Sequence, residues 1–246
     1  MCRAIQVSKR ELISYFQTPV AYVFCIVFLI ASSSLTFYLS NYFERGIADL
    51  QPFFMWLPWL FLFVVPAISM RLWAEEQRIG TIEFLATLPV RWWDLVVGKF
   101  LASWLFLTLA ILCTTPIWIT ANYLGNPDNG VIFTSYLASI LMAGAYLAIG
   151  SAASAFTRNQ IIAFILGLSI CLVFVMSGYP LVLKFLHGWI ADFIINIISS
   201  MSFLSNFEEI TSGVVELQNI IFFLSSIIFW LFITKITLAY KIGGEI

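Results

Sequence analysis

Residues 129–157 read NGVIFTSYLASILMAGAYLAIGSAASAFT, 29 positions without one charged side chain. A helix rises 1.5 Å per residue and needs about 20 apolar residues to cross a hydrocarbon core of about 30 Å. This stretch is long enough. Five others resemble it: 12–43, 50–70, 100–127, 159–183 and 217–234, the last with 18 residues near the lower limit. A further apolar stretch, 193–207, has 15 and suits a re-entrant or interfacial segment better than a span. The chain is 61% hydrophobic and 10% charged, with mean hydropathy +0.98. A soluble domain is about 45–50% apolar and about 25% charged, so lipid must be the solvent for most of this surface. Helices satisfy every backbone polar group within one segment. The fold expected is therefore an all-α integral membrane protein, one domain over 1–246. Its six transmembrane helices fall near 20–40, 52–72, 97–122, 133–156, 161–183 and 218–238.

Orientation follows from Lys and Arg. With an inside N terminus, the inner segments hold Arg3, Lys9, Arg10, Arg71, Arg78, Arg91, Lys99, Arg158, Lys235 and Lys241, and the outer ones Arg45 and Lys184. Both termini and the segment 73–95 are then cytoplasmic. The basic start followed by IASSS has some likeness to a signal peptide. Its long polar lead and long apolar run favour an uncleaved first helix.

A net charge of −1 gives no basis for a nucleic-acid partner. The four cysteines are scattered without a C-x-x-C pair and read as small hydrophobes. The chain has no G-x-x-x-x-G-K-[ST] phosphate cradle. Its single histidine, His187, stands by Trp189 and reads as an interfacial side chain. Arg71, Lys99, Lys184 and Lys235 fall near span ends, where long side chains snorkel to water. Uphill transport would need energy from another chain.

Eight charges crowd into 71–99. Within that run, 75–90 reads EEQRIGTIEFLATLPV. Gly80 breaks the chain, Thr81 can cap a new helix, and Glu83 then sits in its first turn. Pro89 ends or kinks the helix. Ile82, Phe84, Leu85 and Leu88 recur at helical spacing, which fits a short interfacial helix. An ordinary solvated loop fits equally well. The stretch 1–19 has a similar character: Ile5, Leu12, Ile13 and Phe16 share one face, and Lys9, Arg10 and Glu11 lie off it. It reads as an amphipathic interface helix or as a plain positive anchor. Inside the spans, Gly144, Ala148 and Ala152 are four apart, as are Gly150 and Ser154, and let helices approach closely. Pro58, Pro66 and Pro116 predict kinks.

Three blocks carry a family resemblance: KRELISYFQTPVAY at 9–22, EEQRIGTIEFLATLPV at 75–90, and SNFEEITSGVVELQNIIFF at 205–223. Their order resembles an ABC-2 type transporter permease, the membrane subunit of an ATP-binding-cassette exporter, and most of all the branch containing gliding-motility permeases. In that branch a His precedes Phe, Gly and an acidic residue ahead of the last span. Here Asn206 takes the His position, Phe207 and Gly213 match, and Glu216 stands where Asp is usual.

The resemblance implies that 75–90 is a coupling helix seated in a groove of a separate ATP-binding subunit. Ile82, Phe84, Leu85 and Leu88 are then the apolar anchors. Glu75, Glu76, Arg78 and Glu83 set the register, and Gly80, Thr81 and Pro89 bound the helix. It also implies two ATP-binding subunits carrying ATP and Mg, no cofactor in this chain, and a second permease chain, identical or related. The setting it implies is a bacterial cytoplasmic (inner) membrane. Segment 184–216 corresponds to a re-entrant hairpin on the outer side; a plain interfacial loop is the alternative. External loops are too short for a globular domain, so folded extracytoplasmic parts belong to an auxiliary subunit. Two other functions stay open: a non-transporting scaffold for an ATPase, and a lipid-modifying enzyme using Glu208, Glu209 and Glu216.

Overall fold

The computed structural model describes residues 2–82, 91–186 and 192–242, and among them every regular element is helical. In chain order these are α1 (Cys2–Gln17), α2 (Pro19–Ser34), α3 (Gln51–Ser69), α4 (Arg71–Ile79), α5 (Trp92–Leu112) and α6 (Thr115–Leu124). Then come α7 (Asn129–Phe156), α8 (Gln160–Met176), α9 (Pro180–Leu186), α10 (Asp192–Ser200), α11 (Phe203–Thr211) and α12 (Leu217–Ile242). A π-helical turn, Leu35–Leu39, extends α2.

Five stretches are long and apolar enough to cross a membrane: Ala21–Leu39, Gln51–Ile79, Trp92–Leu124, Asn129–Phe156 and Leu217–Lys241. The sixth expected near 161–183 is shorter. α8 has 17 residues, and a turn at 177–179 separates it from α9. Expected kink sites behave differently. Pro116 comes just after a break at Cys113–Thr114, whereas α3 runs on as helix through Pro58 and Pro66. The Tyr146 hydroxyl donates to the Pro58 carbonyl at 3.1 Å.

α7 forms the axis. It packs against α3, α4, α5, α8, α11 and α12, and every residue from Met142 to Ala155 is buried. The small residues explain this. A Cβ on Gly150 would collide with Ser69 of α3, and Gly167 of α8 lies over Gly150 and Pro66. A Cβ on Gly144 would meet the Trp104 ring at 2.9 Å. The stripe thus packs helices of one chain together. α2 and α12 sit outside, with exposed rows such as Val23, Ile26 and Ile30, or Ile221, Ile228 and Phe232.

α1 lies along the first half of α5. A side chain at Gly98 would meet the Ala4 carbonyl and Val7 Cβ, both at 2.9 Å. The expected apolar face points mostly away from the bundle. Ile5, Ile13 and Phe16 are exposed, while Leu12 turns inward with Val7 and Tyr15. Helical spacing alone could not say which flank of α1 the bundle would cover.

Candidate coupling site

The helix of the second span does not end where the charges begin. After a single turn residue at Met70 it resumes as α4 and runs to Ile79. A new helix start leaves N–H groups without partners. Ser154, reaching over from α7, supplies them: its hydroxyl accepts from Trp73 N and Ala74 N, both at 3.0 Å, and donates to the Met70 carbonyl at 2.9 Å. Trp73 is fully buried, and its indole donates to Ser151 at 3.0 Å. The Gln77 amide donates to the Ala155 carbonyl at 3.0 Å. One face of α4 is therefore clamped to the end of α7 by directional bonds.

Its other face meets a buried cation. Lys99, 5% exposed, donates to Glu76 Oε1 at 2.6 Å and to the Leu72 carbonyl at 3.1 Å. Its ammonium lies 3.9 Å from Glu11 of α1 and 5.0 Å from the centre of the Trp73 ring. The expectation that Lys99 snorkels to water is thus corrected. At Lys99 the span end is covered by α1 and α4, and paired carboxylates make burial tolerable. Glu76 is correspondingly engaged inside the bundle.

Arg78, Ile79 and Thr81 remain exposed, and Glu75 is half-buried. Gly80 closes α4 in the left-handed region at φ 81°, a conformation that suits glycine, and its N–H bonds the Glu76 carbonyl at 3.0 Å. The Thr81 hydroxyl points back to the same carbonyl at 3.4 Å. Ile82 is buried. Glu83, Phe84, Leu85, Leu88 and Pro89 lie outside the described residues. Beside the end of α4 opens a basic cavity of about 410 Å³, lined in part by Arg78, Gly80, Arg158 and Lys241. Lys241 spends its three donors on Gln77 Oε1 and the carbonyls of Ala155 and Phe156, each at 2.9 Å. Arg78, Lys99, Arg158 and Lys241 therefore collect at one end of the bundle.

The opposite end holds the other group of named residues. α10 and α11 are joined by a short turn at 201–202. Asn206 is buried and ties that turn, donating to the carbonyls of Ser200 at 2.9 Å and Ser202 at 2.7 Å. Phe207 is buried in the core, Gly213 takes φ 94°, and Glu216 is exposed. Glu209 accepts from Asn219 at 3.0 Å. Partial burial pushes the Glu208 carboxyl above its ordinary range. Glu208 and Glu209 line a cavity of about 820 Å³ with Arg45, Gln51 and Trp56.

A family model described as ABC-2 family transporter protein matches residues 9–240. The chain belongs to that family. A search of curated proteins finds no match. As an ABC-2 permease the chain is a multi-pass membrane protein, the permease subunit of an ABC transporter. Such permeases are transport components, generally not catalytic, and typically work with an ATP-binding subunit. Among the described residues of this permease, no group of three His, Cys, Asp or Glu side chains could hold a metal ion.

Trp73, Gln77, Lys99, Ser151 and Ser154 went unnoticed as a unit in the sequence. Their partners lie 77 to 81 residues away, or 23 for Glu76 and Lys99. No local periodicity reports such pairs. The one available signal was a lysine at the head of a charge-free run.

Proposed function

We propose that this ABC-2 permease is the membrane half of an ATP-driven exporter and that residues 75–90 couple it to the ATP-binding subunit. The observation that carries this reading is the division of α4. Its inner face is clamped to the axial helix through Trp73, Gln77 and Ser154, while Arg78, Ile79 and Thr81 stay exposed beside it. A pull on the exposed side is delivered to α7 through bonds of fixed direction. Glu75, Arg78 and Glu83 set register on the partner and Phe84, Leu85 and Leu88 anchor the segment there, while Ile82, buried in this chain's own core, holds its start to the bundle.

In this reading ATP and Mg reside on two ATP-binding subunits, and this chain carries no cofactor. A second permease chain, identical or related, completes the transporter. α8 with α9 makes the sixth span, and both termini lie in the cytoplasm of a bacterial cell, as the basic end of the bundle supports. Residues 184–216 form the outer re-entrant hairpin, next to any extracytoplasmic auxiliary subunit. In this reading the chain groups with the gliding-motility permeases, which Phe207 and Gly213 support while Asn206 and Glu216 depart from the pattern.

The test is co-purification from membranes in which this chain and its cognate ATP-binding subunit are expressed together. Wild type is expected to retain the subunit and Glu83→Arg to lose it while keeping its own thermal stability. Equal retention by both would remove the coupling assignment.

A further inference from the structure

At the basic end of the bundle two bodies face one another; they share the axial helix α7 further along, where the Trp104 indole of α5 donates to the Ile140 carbonyl at 2.8 Å, but at this end each has its own fastening. α1 is fastened to α5: besides the close approach at Gly98, the Tyr15 and Ser103 hydroxyls share a hydrogen bond of 2.9 Å, and the Tyr15 ring stacks on Phe106 at 5.5 Å. α4 is fastened to α7 by Trp73 and Ser154, and it packs along α3, α7 and α8 rather than along α1 or α5. Between α1 and α4 lies a cavity of about 220 Å³, with Glu11 and Tyr15 on one wall and Arg71 and Glu75 on the other. Helices separated by such a gap can slide past each other unless something spans it.

Lys99 spans it. Rooted on α5, its ammonium reaches Glu76 and the Leu72 carbonyl on α4 and stands 3.9 Å from Glu11 on α1. Among the described residues the tie is exclusive from the side of Glu76, because its second carboxylate oxygen is buried without a hydrogen-bond partner there. A charge-assisted bond of 2.6 Å resists displacement far better than apolar contact across a void.

We propose that Lys99 is a positioning residue, a strut that holds the α1–α5 body in register with α4. The interfacial helix then moves with α4 when α4 is displaced. The second half of this inference rests on the coupling role assigned to α4; the first half does not.

The test measures the distance between spin labels at Ile13→Cys on α1 and Arg71→Cys on α4, both exposed positions outside the docking side of α4. The chain sits in lipid nanodiscs with Cys2, Cys25, Cys113 and Cys171 replaced. Lys99→Met alone leaves Glu76 unpaired and can unfold the chain. Lys99→Met/Glu76→Met substitutes apolar groups for both charges, an exchange that buried pairs commonly tolerate. With the strut in place, one narrow distance is expected, unchanged when ATP is trapped on the bound ATP-binding subunit. The double variant is expected to unfold at the same temperature yet show a broadened distribution that shifts on trapping. An equally narrow, unshifted distance in the double variant would overturn the proposal. If wild type binds no ATP-binding subunit, the coupling reading fails. The nucleotide-free comparison of widths then still decides the strut: broadening supports it and equal width rejects it.

Discussion

α4 and α11 are both nine-residue helices packed against the axial helix α7, one towards each end of the bundle. They are held in opposite ways. α4 is fixed by directional bonds: Trp73 to Ser151, two backbone N–H groups to Ser154, Gln77 to Ala155, and Glu76 to Lys99. α11 is fixed by rings. Phe203 stacks on Phe174 at 5.0 Å and leans on Tyr146 at 5.3 Å and Phe223 at 5.8 Å, while the polar bonds of Ser202 and Asn206 stay local and that of Glu209 runs to Asn219 of α12 rather than to α7. Apolar contact is non-directional and tolerates sliding, whereas a hydrogen bond weakens steeply off its preferred angle. The end of the molecule assigned to receive force is the one built to transmit it.

The sharpest way to break this comparison is to truncate one anchor at each end. Trp73→Ala and Phe203→Ala should each cost about 3–5 kcal/mol, read as lowered thermal unfolding in detergent. If force enters through α4, only the first also lowers stimulation of the ATP-binding subunit's activity per folded molecule. Lys99→Met should lose somewhat less, about 3 kcal/mol, because a mostly buried carboxylate is left unpaired. Lys99→Met/Glu76→Met should recover that loss in the same unfolding assay.

Next in size is Ser154→Ala, which leaves two N–H groups of α4 buried and unpaired at about 1–3 kcal/mol. Ser202→Ala, the loss of the cap that bonds Leu204 N and Ser205 N in α11, should cost about 1 kcal/mol. Denaturant unfolding of the two single variants orders them. The smallest effect belongs to Ile79→Ser on the exposed side of α4: stability within about 0.5 kcal/mol of wild type, with weaker binding of the ATP-binding subunit in a titration.

Much of this architecture was legible in the sequence. Charge-free runs located the long helices, because lipid tolerates little else. The Gly144 and Gly150 stripe announced close packing, and the bias of Lys and Arg anticipated one basic end. What escaped was everything decided by a distant partner. The second span was expected to stop near residue 72, where the charges crowd in, with a short helix or an ordinary loop to follow. Ser154, from another helix, is what turns that stretch back into helix. Lys99 looked like a snorkelling residue because nothing nearby in sequence announces that α1 and α4 cover it. Asn206, marked by its place in the family pattern, proved to be the tie of the α10–α11 turn.

The most direct measurement is ATP turnover by the cognate ATP-binding subunit in lipid nanodiscs, alone, with this permease, and with its Glu83→Arg variant. Coupling through 75–90 requires turnover that depends on the permease and falls with the variant while the permease stays folded. Turnover indifferent to the permease, or unchanged by Glu83→Arg, would contradict it.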